Sequence, residues 1–180
     1  CAKKNAEPEP RRINKLSPTQ ITERIFRDAM GSFTTGVCVL GAKRRDGVSV
    51  GMTVNSFTSV SLNPPLILVC LGSESPRSRA LIDPGRFSIS MLADDQRDIA
   101  GQLAQPGEGL IPQHGWRAGE NGAPVLEGAA AIVECDVDTT HVAGDHMIVI
   151  GRVTHVHSDP GREPLVYFRG GYRLLDGEVA

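Results

Sequence analysis

Three groups of residues carry most of the chemical potential of this chain. The first is a row of short neutral side chains, Thr53, Asn55, Ser59 and Ser61, at odd positions of residues 51–65, with Phe57 among them. Each hydroxyl or amide can donate and accept, and none is charged. A solvated strand face ordinarily carries Lys, Glu or Arg. A neutral row suits a flat, heteroatom-rich ligand, although a Ser/Thr-rich strand selected for β-propensity alone gives the same pattern. The second group is residues 72–79, Gly-Ser-Glu-Ser-Pro-Arg-Ser-Arg. Its arginines suit phosphate because a guanidinium is planar and always charged; a plain surface loop fits the composition equally. The third is Asp145-His146, where the carboxylate is placed to fix the imidazole tautomer or raise its pKa. A turn histidine bonded to backbone is the simpler reading. His141 flanks the same turn. His155 and His157 lie two apart on one strand face, as a metal pair or as two exposed strand residues.

Other chemistries find little support. The dinucleotide-binding G-x-G-x-x-G, the phosphate loop and H-E-x-x-H are absent, no G-x-S-x-G nucleophile elbow is expected, and no Ser/His/Asp or Cys/His set assembles from spacing. The chain has 19 Lys and Arg against 21 Asp and Glu, a formal net charge of −2. That balance argues against nucleic acid or an anionic membrane as a partner. The four cysteines, Cys1, Cys38, Cys70 and Cys135, form no C-x-x-C pair. Three sit in apolar runs, where a free thiol is a small hydrophobe. A reducing, cytoplasmic compartment is expected, with no disulfide framework, no zinc, no signal peptide and no membrane span.

The elements that must position these groups follow from periodicity. With 180 residues, one domain is expected: a flexible tail over residues 1–15 and a folded unit over 16–180. Ser17-Pro18-Thr19-Gln20 reads as a helix start, with Ser17 as N-cap and Gln20 completing a capping box. Ile21, Ile25, Phe26, Ala29 and Met30 make one apolar stripe that should cover the core, and Gly31 ends the helix. Residues 36–40 and 48–54 read as strands, joined by a hairpin signal at Asp46-Gly47 with the basic cluster Lys43, Arg44 and Arg45 at its tip. Within 51–65, the even positions Met52, Val54, Val60 and Leu62 are apolar, as in a strand with one buried face. Residues 66–71 run apolar without a break, as a strand buried on both faces would. Further strands are expected over 85–92, 129–141, 147–157 and 165–175, and a second helix over 94–103. Residues 105–122 form a long loop, a length that tends to be functional. Seven or eight short strands with two helices and no βαβ rhythm predict a mainly β, antiparallel barrel or sandwich.

The order of several segments adds a resemblance. Phe-Arg-Asp-Ala-Met-Gly-Ser-Phe-Thr-Thr-Gly at 26–36, the whole of 51–65, Gly-Arg-Phe at 85–87, Gly-Asp-His at 144–146 and Pro-Leu-Val-Tyr-Phe-Arg-Gly at 164–170 closely resemble the flavin reductase-like family, the NAD(P)H:flavin oxidoreductases of two-component flavin monooxygenases. The resemblance implies an antiparallel Greek-key split β-barrel with a few short peripheral helices, a homodimer, and use of FMN or FAD with NADH or NADPH. It implies that Ser49, Val50, Gly51, Met52, Thr53, Asn55 and Ser56 line the flavin, that Val69, Cys70 and Leu71 border its ring, and that Ser75, Arg77, Ser78 and Arg79 meet its phosphate. Gly101 and Gln102 would touch the flavin tail. His146, with Val166, Tyr167, Phe168 and Arg169, would face the nicotinamide nucleotide. Hydride transfer between two such groups asks the protein for placement rather than for an acid–base triad. The alternatives are a flavin-binding electron carrier on the same barrel and an interaction barrel without ligand.

Overall fold

The computed structural model describes residues 20–175. It is mainly β and antiparallel with short peripheral helices, as expected. Chain order runs α1 (Glu23–Met30), β1 (Thr35–Gly36), β2 (Cys38–Lys43), β3 (Ser49–Val54), β4 (Phe57–Leu62), β5 (Pro65–Gly72), α2 (Pro76–Ile82), β6 (Arg86–Met91), a 3₁₀ turn (Asp94–Gln96), α3 (Arg97–Ala104), β7 (Trp116–Ala118), β8 (Pro124–Leu126), β9 (Ala131–Ala143), β10 (His146–Ser158), β11 (Val166–Phe168) and β12 (Gly171–Arg173). Seven strands form one sheet in the order β3-β2-β6-β9-β10-β5-β4, and a small sheet, β1-β11-β12, lies beside it.

The two edge strands of the large sheet, β3 and β4, are consecutive in the chain. Two residues, Asn55 and Ser56, link them. Two residues cannot reach across an open seven-stranded sheet, so the sheet curves round until its edges come close. Ser56 pins that seam: its hydroxyl donates to Cys70 O at 2.8 Å and accepts from Cys70 N at 3.2 Å.

The core fills the curve of the sheet. Leu40, Val50, Val69, Phe87, Ile89 and Val149 are at or near zero exposure, and a second cluster of Val39, Leu92, Ala100, Leu103 and Leu165 joins α3 to the sheet. Phe87 sits so close to β10 that a Cβ at Gly151 would lie 2.6 Å from its ring. The β9–β10 register slips at that residue.

Several expectations change. Ser17 and Pro18 lie outside the described residues, as does the 1–15 tail. The helix runs from Glu23, with Thr22 as its N-cap accepting from Ile25 N at 3.3 Å. It buries none of its residues, and Phe26 and Met30 of its apolar stripe stay exposed. The stretch 51–65 is two strands, not one. The pleat restarts after the link, so Val60 and Leu62 face outward, Leu62 at 95% exposure. In β5 only Ile67, Val69 and Leu71 are fully buried; their alternates are half-exposed, giving one core face rather than two. A third helix, α2, replaces the expected loop after β5. Ser75 caps it and Pro76 opens it, a signal present in the sequence. The 105–122 loop contains β7. The Asp46-Gly47 hairpin forms as read: Gly47 has φ +86° and donates to Arg44 O at 2.9 Å.

Candidate functional site

The outer edge of β3 organises the site. In an antiparallel ladder alternate residues turn their N–H and C=O to opposite sides. Gly51 N donates to Gly109 O at 2.7 Å, and Ile111 N donates to Ser49 O at 3.2 Å. The segment 105–111 is therefore a strap laid along the first half of that edge. Beyond Gly51 it departs, and the same alternation leaves the main chain of Thr53 facing outward.

A trough of about 740 Å³ opens between β3, α2 and the strap. Met52 and Thr53 form its floor, Ser75, Pro76, Arg77 and Ala80 one wall, and residues 104–108 the other. A hollow of about 270 Å³ shares Thr53 and Ala104 with it, and adds Val37, Val54, Asn55, Tyr167 and Tyr172. The two make one channel, neutral and aromatic at one end and cationic at the other. Tyr167 and Tyr172 meet edge to face at 5.7 Å. The Arg97 guanidinium lies 5.4 Å over the Tyr172 ring.

Arg77 is the central charge of the trough. Its Nη1 donates to Leu103 O at 3.2 Å and Gln105 O at 2.9 Å, the last carbonyls of α3. Its Nε is buried without a partner. Burial also lowers its pKa, yet a guanidinium remains charged at neutral pH. Arg77 is half-buried and lines the trough, and a cation so placed fits an anionic group. Gly109 makes this close packing possible. It has φ +68°, and a Cβ there would collide with Arg77 Nε and Gly51 O.

The structure gathers some of the expected residues and separates others. Met52, Thr53, Asn55, Ser75, Arg77 and Tyr167 line the channel. Thr53 and Ser56 spend their hydroxyl protons inside the fold, Thr53 on Ala100 O at 2.7 Å and Ser56 on Cys70 O. They present lone pairs to a neighbour. Ser49 lines a different hollow, with Ile111, Pro112 and Trp116. Val50, Val69 and Leu71 belong to the core, and half-buried Cys70 serves Ser56 through its backbone. Ser78 is fully buried, while Arg79 is exposed, so Arg77 is the loop arginine at the trough. Gly101 and Gln102 ride on α3, which lies against β3. Ser59 and Ser61 of the neutral row sit on β4, away from the channel. Val166 is buried and pairs with Gly36. Arg169 sits in the β11–β12 turn at φ +48°, its guanidinium 5.0 Å from the Phe168 ring.

His146 stands at the β9–β10 turn, half-exposed, with Nδ1 2.8 Å from Asp145 Oδ1. That hydrogen bond lowers the Asp145 carboxyl below its ordinary range. Ser73 holds the turn by donating twice to Asp145 O, from its N and its Oγ, each at 3.0 Å. The channel residues that sequence reasoning passed over are Arg44, Tyr172 and residues 104–108. Arg44 was visible in the basic hairpin tip; nothing local marked the strap. Residues 47–51 do spell Gly-Val-Ser-Val-Gly, against the expectation of no such pattern. Ser49, however, lies inside the β2–β3 hairpin, where no strand-to-helix elbow exists. His155 and His157 are exposed, and among the described residues no three His, Cys, Asp or Glu side chains cluster for a metal. No helix of the described residues is long and apolar enough to cross a membrane.

Comparison with known proteins agrees with this geometry. The flavin reductase like domain matches residues 30–176. A probable flavin reductase of Rhizobium meliloti is 44% identical over 149 residues, which is 83% of this chain and 48% of that protein. The chain thus spans about half the length of that relative. An NADH-dependent flavin reductase of a Rhodococcus species is 38% identical across 90% of this chain and 91% of its own. Among solved structures, the NADH:FAD oxidoreductase SgcE6 of Streptomyces globisporus superposes with a TM-score of 0.85 at 32% identity, over 93% of this chain and all of that one. The chain belongs to the flavin reductase-like family.

Proposed function

We infer that this protein is an NAD(P)H-dependent flavin reductase, acting on FMN or FAD as the reductase component beside a flavin-dependent monooxygenase. The observation that carries this reading is the channel itself: a neutral aromatic end at Asn55 and Tyr167, and about 740 Å³ of trough lined by the half-buried cation Arg77. Relatives named as monooxygenase reductase subunits, such as the stachydrine N-demethylase reductase subunit of Rhizobium meliloti at 40% identity over 83% of this chain, support the partner.

Each residue then has a positional task. Arg77 and Ser75 hold the flavin phosphate. Thr53 and Asn55 orient the ring edge, Thr53 through its outward main chain. The Tyr167–Tyr172 wall keeps water from that end and sets the width available to a second flat ring. His146, oriented by Asp145 at the β9–β10 turn, receives the nicotinamide nucleotide. When bound, the flavin supplies the acceptor for a hydride from reduced nicotinamide. The residues named here contribute orientation and exclusion of water, where rate enhancement through placement originates.

A homodimer is part of the proposal. Phe26, Met30, Phe33, Val60 and Leu62 leave apolar surface exposed on α1, the turn after it and β4, the kind of surface that pairing of two copies would cover.

The test is steady-state turnover with NADH or NADPH against FMN or FAD, followed by loss of flavin absorbance. Turnover is expected in at least one pairing. Absence in all four removes the reading.

A further inference from the structure

The trough does not end where a single phosphate would. Past Arg77 the wall continues along α2 through Ala80, and a second hollow of about 410 Å³ opens there, lined by Arg44, Arg45, Ala80, Asp83 and Pro84. It shares Arg44 and Ala80 with the trough, so the two are continuous. Seven helical residues at 1.5 Å each carry α2 roughly 10 Å beyond Ser75. FMN stops at one phosphate. A dinucleotide flavin adds a second phosphate, a ribose and a purine.

The lining suits those added groups in order. Arg44 sits between the two hollows. Asp46 and Glu108 hold it: Nε donates to Asp46 Oδ1 at 3.2 Å, Nη2 donates to Asp46 Oδ2, and Nη1 lies 3.9 Å from Glu108 Oε2. The hydrogen bond that Arg44 donates to Asp46 raises the Arg44 pKa further. Asp46 and Glu108 therefore offset part of its charge, and it serves as a fixed post. Arg45 beside it is exposed and makes no ion pair among the described residues. It is the cation available to a second phosphate. Ala80 and Pro84 give apolar surface for a purine. Glu108 and Asp83 are carboxylates, which repel a bare anion but accept hydrogen bonds from ribose hydroxyls or an adenine amino group. A site for inorganic phosphate alone would not place them there.

We propose that the hollow between α2 and the β2–β3 hairpin tip binds the adenylate half of FAD, making FAD the preferred flavin of this protein, with Arg45 as the residue that sets the preference. This rests on the flavin reductase reading above. It assigns the strap a role as well: Pro106 and Gly107 would flank the diphosphate.

The experiment is a fluorescence titration of wild type and Arg45→Ala with FAD and with FMN, plus the KM for NADH with each flavin. Wild type should bind FAD at least tenfold tighter than FMN, and Arg45→Ala should shrink that ratio about fivefold. Equal affinities in wild type, or a ratio unmoved by the substitution, overturn the proposal. A rise in the NADH KM with the flavin ratio intact would give the hollow to the nicotinamide nucleotide's adenylate, and also overturns it. Binding of neither flavin would instead defeat the flavin reductase reading on which the proposal stands. Arg45 is exposed at a hairpin tip, so the variant is expected to fold; equal thermal midpoints check this.

Discussion

Arg77 and Arg79 differ by two positions and by everything that matters for an anion. The first is wedged under the strap with its Nε unused; the second points to solvent. Hydrogen bonds to charged groups contribute about 1.5–3 kcal/mol each. Arg77→Ala should therefore weaken flavin binding by about tenfold or more, while Arg79→Ala should stay within about twofold, both read by fluorescence titration. At the β9–β10 turn, Asp145 restrains His146 from one side at 2.8 Å. Asp145→Asn keeps the shape and removes the charge, and should raise the KM for NADH several-fold with little change in kcat. The Asp145 carboxyl is held below its ordinary value by the His146 hydrogen bond, so it stays ionised through the weakly acidic range. Its grip on His146 should be lost only as pH falls through that lowered pKa. At this scale the sequence was partly legible. Side-chain chemistry pointed to Thr53, Asn55 and Arg77, which line the channel. It could not distinguish Arg77 from Arg79, because the distinction depends on where α3 ends.

The strap is the element that forms one wall of the trough. It has little periodicity, so nothing in its own residues shows that it would lie along β3; the free edge that attracts it belongs to another part of the sequence. Gly109→Ala tests it. The substitution puts a side chain at φ +68° and into Arg77, costing more than about 1 kcal/mol. For a chain of this length that corresponds to a fall in Tm of at least about 2–4 °C, together with weaker flavin binding because Arg77 is displaced. A stability loss with flavin affinity intact would separate the strap from the site. The Asp46-Gly47 hairpin shows the opposite case. Its turn chemistry is local, and it was readable in full. Helix α2 lies between the two: Ser75-Pro76 announces a start, but seven residues offer too little periodicity to outweigh a loop.

On the scale of the whole molecule, the period-two pattern gave the antiparallel class, and the order of motifs gave the family. Neither gave the outward turn of Val60 and Leu62, since burial on β4 depends on how the sheet curves after the link at 55–56. Burial has a cost that can be measured. Cys38 and Cys135 lie in the core, and loss of solvation raises both thiols to about 12 from 9.0. The folded state then keeps two protons that the unfolded state gives up above about pH 9. Stability contributed by these thiols is whole below that pH and declines as pH rises toward 12, by up to about 1.4 kcal/mol per pH unit for each. Urea midpoints measured from pH 8 to 11 should fall more steeply for wild type than for Cys38→Ala/Cys135→Ala.

The strap's hold on β3 is made by main-chain atoms, Gly51 N with Gly109 O and Ile111 N with Ser49 O. Such anchorage is indifferent to most of the letters written ahead of it. Residues 105–108 are thus free to diversify over generations, or to be grafted from a cousin, changing which nucleotide tail is welcomed while the scaffold beneath keeps its shape.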